Sequence, residues 1–152
     1  MRSTVSAPTA VLALLIALIP AAVIPVFAHH SFSAEYDANK PVNVQGVVAK
    51  LAWVNPHAYI YVEAKDASGK ITRYAFETSS PNALLRRGWK RDSLKEGDQI
   101  TIDGYLAKDP RPLTDGSIHG NARLVTMAGG KTVFAGTSAD DGGPSAPTGA
   151  AK

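Results

Sequence analysis

The chain has 152 residues, with 16 lysines and arginines against 13 aspartates and glutamates, four histidines and no cysteine. A net charge of +3 is too even to argue for nucleic acid as a partner. The lack of cysteine excludes disulfides, thiolate metal sites and lipid attachment through a cysteine.

Residues 1–28 have the form of a secretory signal. Arg2 is the positive start, Val11 to Ile19 is the apolar run, and Val26 and Ala28 hold the small-residue positions before a cut. Pro20 and Pro25 interrupt the run, which falls short of the ~20 apolar residues that a spanning helix needs. A cleaved signal with no retained membrane anchor is therefore expected, which makes the protein periplasmic and His29 its first residue. Cleavage removes Arg2 and no acid, leaving a net charge of +2. An arm over 29–40, carrying His29 and His30, leads into a domain over 41–135. The tail over 136–152 has no large apolar side chain and is expected to be disordered, since it has little to bury against its ordering entropy.

Strand signals dominate the domain. Pro41 to Leu51 opens with alternation at Val42 and Val44, and Gly46 sits where a bulge or sharp bend would shift the phase. Asn55-Pro56 marks a turn before a second strand at about His57 to Ala64. There Ala58, Ile60, Val62 and Ala64 share one face, and Tyr59, Tyr61 and Glu63 the other. Asp66 to Gly69 reads as a hairpin connection into a third strand, Ile71 to Glu77. A short helix follows, with Ser80 as N-cap, Pro81 at the first helical position and Gly88 as its stop. Strand four runs from Gln99 to Leu106. A polar loop from Lys108 to Gly120 precedes strand five, at about Asn121 to Met127. Gly129-Gly130 then turns into a short closing strand, Lys131 to Phe134.

Three strands, a short helix and two further strands with a closing hairpin predict an all-β, OB-fold-like five-stranded barrel with its helix between strands 3 and 4. An open β-sandwich is the competing architecture. The barrel fold binds ligands on its strand 2–3 face and through the loops joining strands 1–2 and 4–5. His57 ends the first of those loops and His119 the second. The arm is long enough, at ~3.3 Å per residue, to lay His29 beside either.

His29, His30, His57 and His119 are accordingly the candidate metal ligands. A terminal histidine offers its α-amine and Nδ1 as one chelate, and both groups lose protons near neutral pH when a metal displaces them. Nitrogen-rich tetragonal coordination favours copper(II), with zinc as the alternative. Glu35, Asp37 and Asp115 are available as oxygen ligands or as their hydrogen-bonding partners. The plainer alternative is that loop histidines are surface side chains. A second class of function is a non-metal module, in which Tyr59, Tyr61 and Trp89 contact a glycan, another small ligand or an envelope protein partner. Tyrosines so placed can instead pack against a covering segment, here Phe32 and Tyr36. The run from Arg86 to Arg91 is read as a cationic helix end with Trp89 capping the barrel, rather than as an anion site. No nucleophile elbow, phosphate-cradling glycine loop or His-Glu-x-x-His pattern is present, so no enzyme is expected.

His29-His30-Ser31-Phe32, Trp53-Val54-Asn55-Pro56-His57-Ala58 and the run Ser80 to Trp89 together resemble an uncharacterised family of small exported bacterial proteins. Asp92 to Asp98 and Ala107-Lys108-Asp109 extend the resemblance over most of residues 29–135. It implies a Gram-negative envelope protein and places the His-His start and the Asn-Pro-His turn in the family pattern.

Overall fold

The computed structural model describes residues 32–136. A single helical turn, α1 (Phe32–Glu35), leads into β1 (Tyr36–Ala52), followed by β2 (Tyr59–Lys65), β3 (Ile71–Glu77), α2 (Pro81–Arg86), β4 (Gln99–Ala107), β5 (Ile118–Met127) and β6 (Thr132–Phe134). The strands lie in the order β3-β2-β1-β4-β5-β6, and a parallel pairing of β3 with β5 closes the first five into a barrel. This is the expected OB-like topology with its helix between strands 3 and 4. The β3–β5 ladder excludes the open sandwich.

The alternation in β2 behaves as the pattern demands. Ile60 and Val62 face a core shared with Val44, Val48, Phe76, Leu84, Ile100, Ile102 and Val125, while Tyr59 and Tyr61 stay on the outside. Helix α2 is capped as anticipated, with the Ser80 hydroxyl accepting from the Ala83 N–H and Pro81 in the first turn. Its buried residues are Pro81 and Leu84. At its C-terminal end, Arg87 donates to the Gly136 carbonyl at 2.8 Å and stacks on Phe134, 4.7 Å from the ring centre. That is a structural role for the cationic helix end.

Strand β1 does the work of two strands. Its first part pairs with β4, as Tyr36↔Ala107 through Val47↔Gln99, and its last part pairs with β2. The bulge expected at Gly46 falls instead between Val48 and Lys50, where the register with β2 shifts. Gly46 is required for a different reason. A Cβ there would sit 2.5 Å from the Glu63 carbonyl oxygen and 2.6 Å from a Val62 methyl, so glycine lets β2 pass close where β1 changes partner.

Two boundaries differ from the expectation by three residues or more. Strand β1 begins at Tyr36 rather than Pro41, because Phe32 and Tyr36 bury their rings against Tyr105 and Ala107 and draw the chain onto the edge of β4. The Lys108 N–H donates to the Glu35 carbonyl at 2.8 Å and extends that ladder. Strand β5 begins at Ile118 rather than Asn121, because residues 118–121 form the parallel ladder with Tyr74–Glu77. His119 therefore stands on a strand and not in a loop.

Gly104 offers a test of the closure. It sits at a register shift between β4 and β5, and a Cβ there would be driven into the Asn121 carbonyl. Gly104→Ala should lower the unfolding free energy by about 1–3 kcal/mol, the usual range for overpacking. Urea unfolding would register this as a reduced midpoint at unchanged slope.

Candidate functional site

The candidate cluster is built around the last residue of β3. Glu77 lies directly across the β2–β3 ladder from Tyr59 and across the β3–β5 ladder from Asn121, which puts it on the outer face at the barrel seam. His119 stands two residues before Asn121 on β5, and so on the same face. The β1–β2 connection brings in His57, and the docked start of the described chain brings in Glu35 and Tyr36.

Glu77 is 6 % exposed, yet both carboxylate oxygens are occupied by donors. Oε1 lies 2.6 Å from Nδ1 of His57. Oε2 accepts from the Tyr36 hydroxyl at 2.9 Å and from the Tyr59 hydroxyl at 2.9 Å. Burial alone would raise the pKa of this carboxyl, but the His57 imidazole and the two phenols outweigh burial and hold it below its ordinary value. The phenols move the other way. Burial first, then the neighbouring charge of Glu77 and Glu35, pushes Tyr36 and Tyr59 well above the usual tyrosine range, so both remain protonated donors.

His119 is attached to the same network through Tyr36, whose hydroxyl lies 3.1 Å from Nε2. Its Nδ1 is 3.6 Å from Oε1 of Glu35, while Nε2 stands 3.9 Å from Oε2 of Glu77. One ligand atom each from Glu35, Glu77 and His119 lie within 4.8 Å of one another, a group able to hold a metal ion. Above the group opens a cleft of about 620 Å³, walled by Ala34, Pro56, His57, Tyr59 and Leu113 and rimmed by Lys108 and Arg111. The rim is internally bonded, with Arg111 gripping Asp109 through two nitrogens.

The structure thus gathers two of the four candidate histidines, His57 and His119, around one carboxylate. His29 and His30 lie outside the described residues. Of the three acids considered as oxygen donors, only Glu35 is at the cluster. Asp37 accepts from the Asn39 N–H and pairs with Lys40 at 3.6 Å, and Asp115 accepts from the Ser117 N–H.

The aromatic surface divides differently from the expectation. Tyr59 lines the cleft but its hydroxyl is committed to Glu77. Tyr61 lies outside the cleft, tilted against Tyr59 at 6.5 Å with the Lys50 ammonium 5.9 Å from its ring centre. Trp89 needs correction as a ligand contact. It is 3 % exposed, packs into the core and donates its indole N–H to the Phe134 carbonyl at 3.1 Å, so it offers no surface to a ligand.

Glu77 itself escaped the sequence reading, although a signal for it existed. The Asp66–Gly69 hairpin fixes a register in which residue 77 faces residue 59, and alternation puts both on the outer face. That register pairs the carboxylate with Tyr59, two residues after His57, but His119 joins them only through the β3–β5 ladder.

The chain belongs to the family of unknown function DUF6152, whose model matches residues 17–120. The matched span contains Glu35, Tyr36, His57, Tyr59, Glu77 and His119. No curated protein and no solved structure matches the chain.

The buried carboxylate makes stability depend on pH with a definite sign. A depressed folded pKa contributes stability that is complete above the unfolded glutamate value, about 4.3, and disappears as pH falls through the folded value. Glu77→Gln should therefore be less stable than the natural chain at neutral pH, and the gap should narrow on acidification below about pH 4. Denaturant midpoints of both proteins across that range give the comparison.

Proposed function

We propose that this chain is an exported, periplasmic binding protein that takes a divalent transition-metal ion, copper(II) in the first place, in the cleft at the barrel seam. The observation that carries the proposal is the approach of Glu35 and His119, whose Oε1 and Nδ1 stand 3.6 Å apart, beside the Glu77 carboxylate that also holds His57. One imidazole with carboxylate oxygens suits copper(II) or zinc, and added nitrogen donors would favour copper(II) in a tetragonal arrangement.

The same cleft gives the terminal histidines a destination. Phe32 is anchored by its ring contacts with Tyr36 and Tyr105, each at 5.4 Å, and Ala34 and Glu35 already line the cleft. His29 precedes Phe32 by three residues, a span of about 10 Å when extended. After cleavage at Ala28, the amine and imidazole of His29 and the imidazole of His30 would supply the missing nitrogens. The anchoring of Phe32 supports this by limiting how far the terminus can stray.

A second reading is a small organic ligand rather than an ion. The cleft volume of about 620 Å³ falls within the ordinary range for small-molecule sites, and Tyr59 and His57 line it. Such binding would be indifferent to metal and sensitive to Tyr59→Ala.

Calorimetric titration of the chain beginning at His29 with copper(II) and with zinc(II) separates these readings. One equivalent of copper should bind, and His119→Ala should weaken it more than about tenfold, the scale on which even residues behind the ligands act. Placing one extra residue before His29 should weaken copper more than zinc. Absence of binding, or affinity unaltered in His119→Ala, would overturn the metal proposal.

A further inference from the structure

We infer that Glu77 is a positioning residue and not a metal ligand: it fixes the protons of both cleft histidines, so that the ion is taken by Nδ1 of His119 with Oε1 of Glu35 while His57 keeps its proton on Nδ1. This rests on the metal reading for the ligand atoms but not for the proton positions, which follow from counting hydrogens.

Each phenol has one proton to donate. Tyr36 and Tyr59 both give theirs to Oε2 of Glu77. An ionised carboxylate only accepts, so at 2.6 Å the proton between Oε1 and His57 must belong to Nδ1 of His57. In the neutral ring this leaves the lone pair on Nε2. Tyr36, having given its proton to Glu77, can only accept at its 3.1 Å contact with His119. Nε2 of His119 is therefore the protonated nitrogen, and its neutral ring carries the lone pair on Nδ1. One carboxylate thus imposes opposite tautomers on two histidines, on His57 directly and on His119 through Tyr36.

The lone pair on Nδ1 of His119 has a telling neighbour. Nδ1 and Oε1 of Glu35 are 3.6 Å apart, beyond hydrogen-bonding distance, and in this tautomer both are acceptors. Two acceptors face each other stably when a cation lies between them. With metal–ligand bonds of about 2.0–2.2 Å, two ligands on one ion stand about 3.0–3.6 Å apart for ordinary bond angles. The observed separation is that of a ligand pair. Glu77 is differently placed. Three of its roughly four acceptor sites are filled, and its 3.9 Å approach to Nε2 of His119 is bridged by Tyr36. A histidine ligand whose second nitrogen is held by a hydrogen-bonded carboxylate network is the usual arrangement behind a metal site.

Long-range proton–nitrogen NMR of the nitrogen-15-labelled chain tests both parts. It is recorded on metal-free protein at about pH 8, above the ordinary histidine range. His57 should show the Nδ1–H tautomer, which a free histidine side chain disfavours, and His119 the Nε2–H tautomer. Glu77→Gln and Tyr36→Phe should each weaken zinc about 10- to 100-fold. Glu77→Gln should release His57 into a mixture of tautomers, and Tyr36→Phe should do the same to His119 alone. Zinc(II), which is diamagnetic, should then shift Nδ1 of His119 and leave its Nε2 protonated. The opposite tautomer on either ring in the metal-free protein overturns the positioning role whether or not metal binds. A zinc shift at Nε2 of His119 overturns the ligand assignment and leaves the metal reading standing. Expected tautomers with no response to zinc overturn the metal reading, and the ligand assignment with it.

Discussion

The Glu77 carboxylate and its three donors are the interaction on which the rest of the site depends. A carboxylate at 6 % exposure loses several kcal/mol of hydration. Hydrogen bonds to a charged group return about 1.5–3 kcal/mol each, so three of them are of the size needed to offset that loss. The donors come from two parts of the chain: Tyr36 from the start of β1, and His57 and Tyr59 from the two-residue step between the β1–β2 connection and the start of β2. Satisfying one buried charge therefore ties the start of β1 and the β1–β2 connection to the end of β3, beside the Tyr59↔Glu77 ladder pair.

The barrel makes this possible through its seam. Parallel pairing of β3 with β5 sets Ala75 opposite His119 and Glu77 opposite Asn121, so the histidine of one strand reaches the carboxylate of the other on the outer surface. The segment before β1 then covers that surface. Phe32 and Tyr36 bury their rings on Tyr105 and Ala107, and the Lys108 ammonium donates to the Ser33 carbonyl, which holds Glu35 over His119. Packing on the far side of the covering segment thus positions an acidic group at the cleft. The cleft so formed includes His57 of the β1–β2 connection, one of the loops by which this fold accommodates ligands.

Sequence reading reached the histidines and missed the acid that organises them. His57 and His119 stood out because two loops of the expected fold end on them, although the structure puts His119 on β5. Glu77 is one acidic residue among 13, and nothing in its immediate neighbours marks it. Its importance lies in cross-strand contacts, which depend on hairpin register and on the β3–β5 ladder together. Trp89 failed in the opposite direction. An aromatic side chain flanked by Gly88 and Lys90 resembles a surface platform, yet it packs into the core and its N–H finds a carbonyl on β6. Local polarity describes the neighbours of a residue along the chain, and burial is decided by its neighbours in space.

Local chemistry alone determined much of this protein. The alternation of β2, the hairpin at Asp66–Gly69, the Ser80–Pro81 helix start and the glycine turn at 129–130 each follow from steric and hydrogen-bonding rules that act within a few residues. Their order was enough to specify a small barrel with one helix. Tertiary structure decided what short-range rules cannot reach: that β5 starts early enough to put His119 on a strand, that the chain before Pro41 joins β4, and that Glu77 gathers donors from two distant segments. Those outcomes depend on closing loops of tens of residues. Contacts at that separation are selected by how well the whole barrel packs and by whether a buried charge finds its partners.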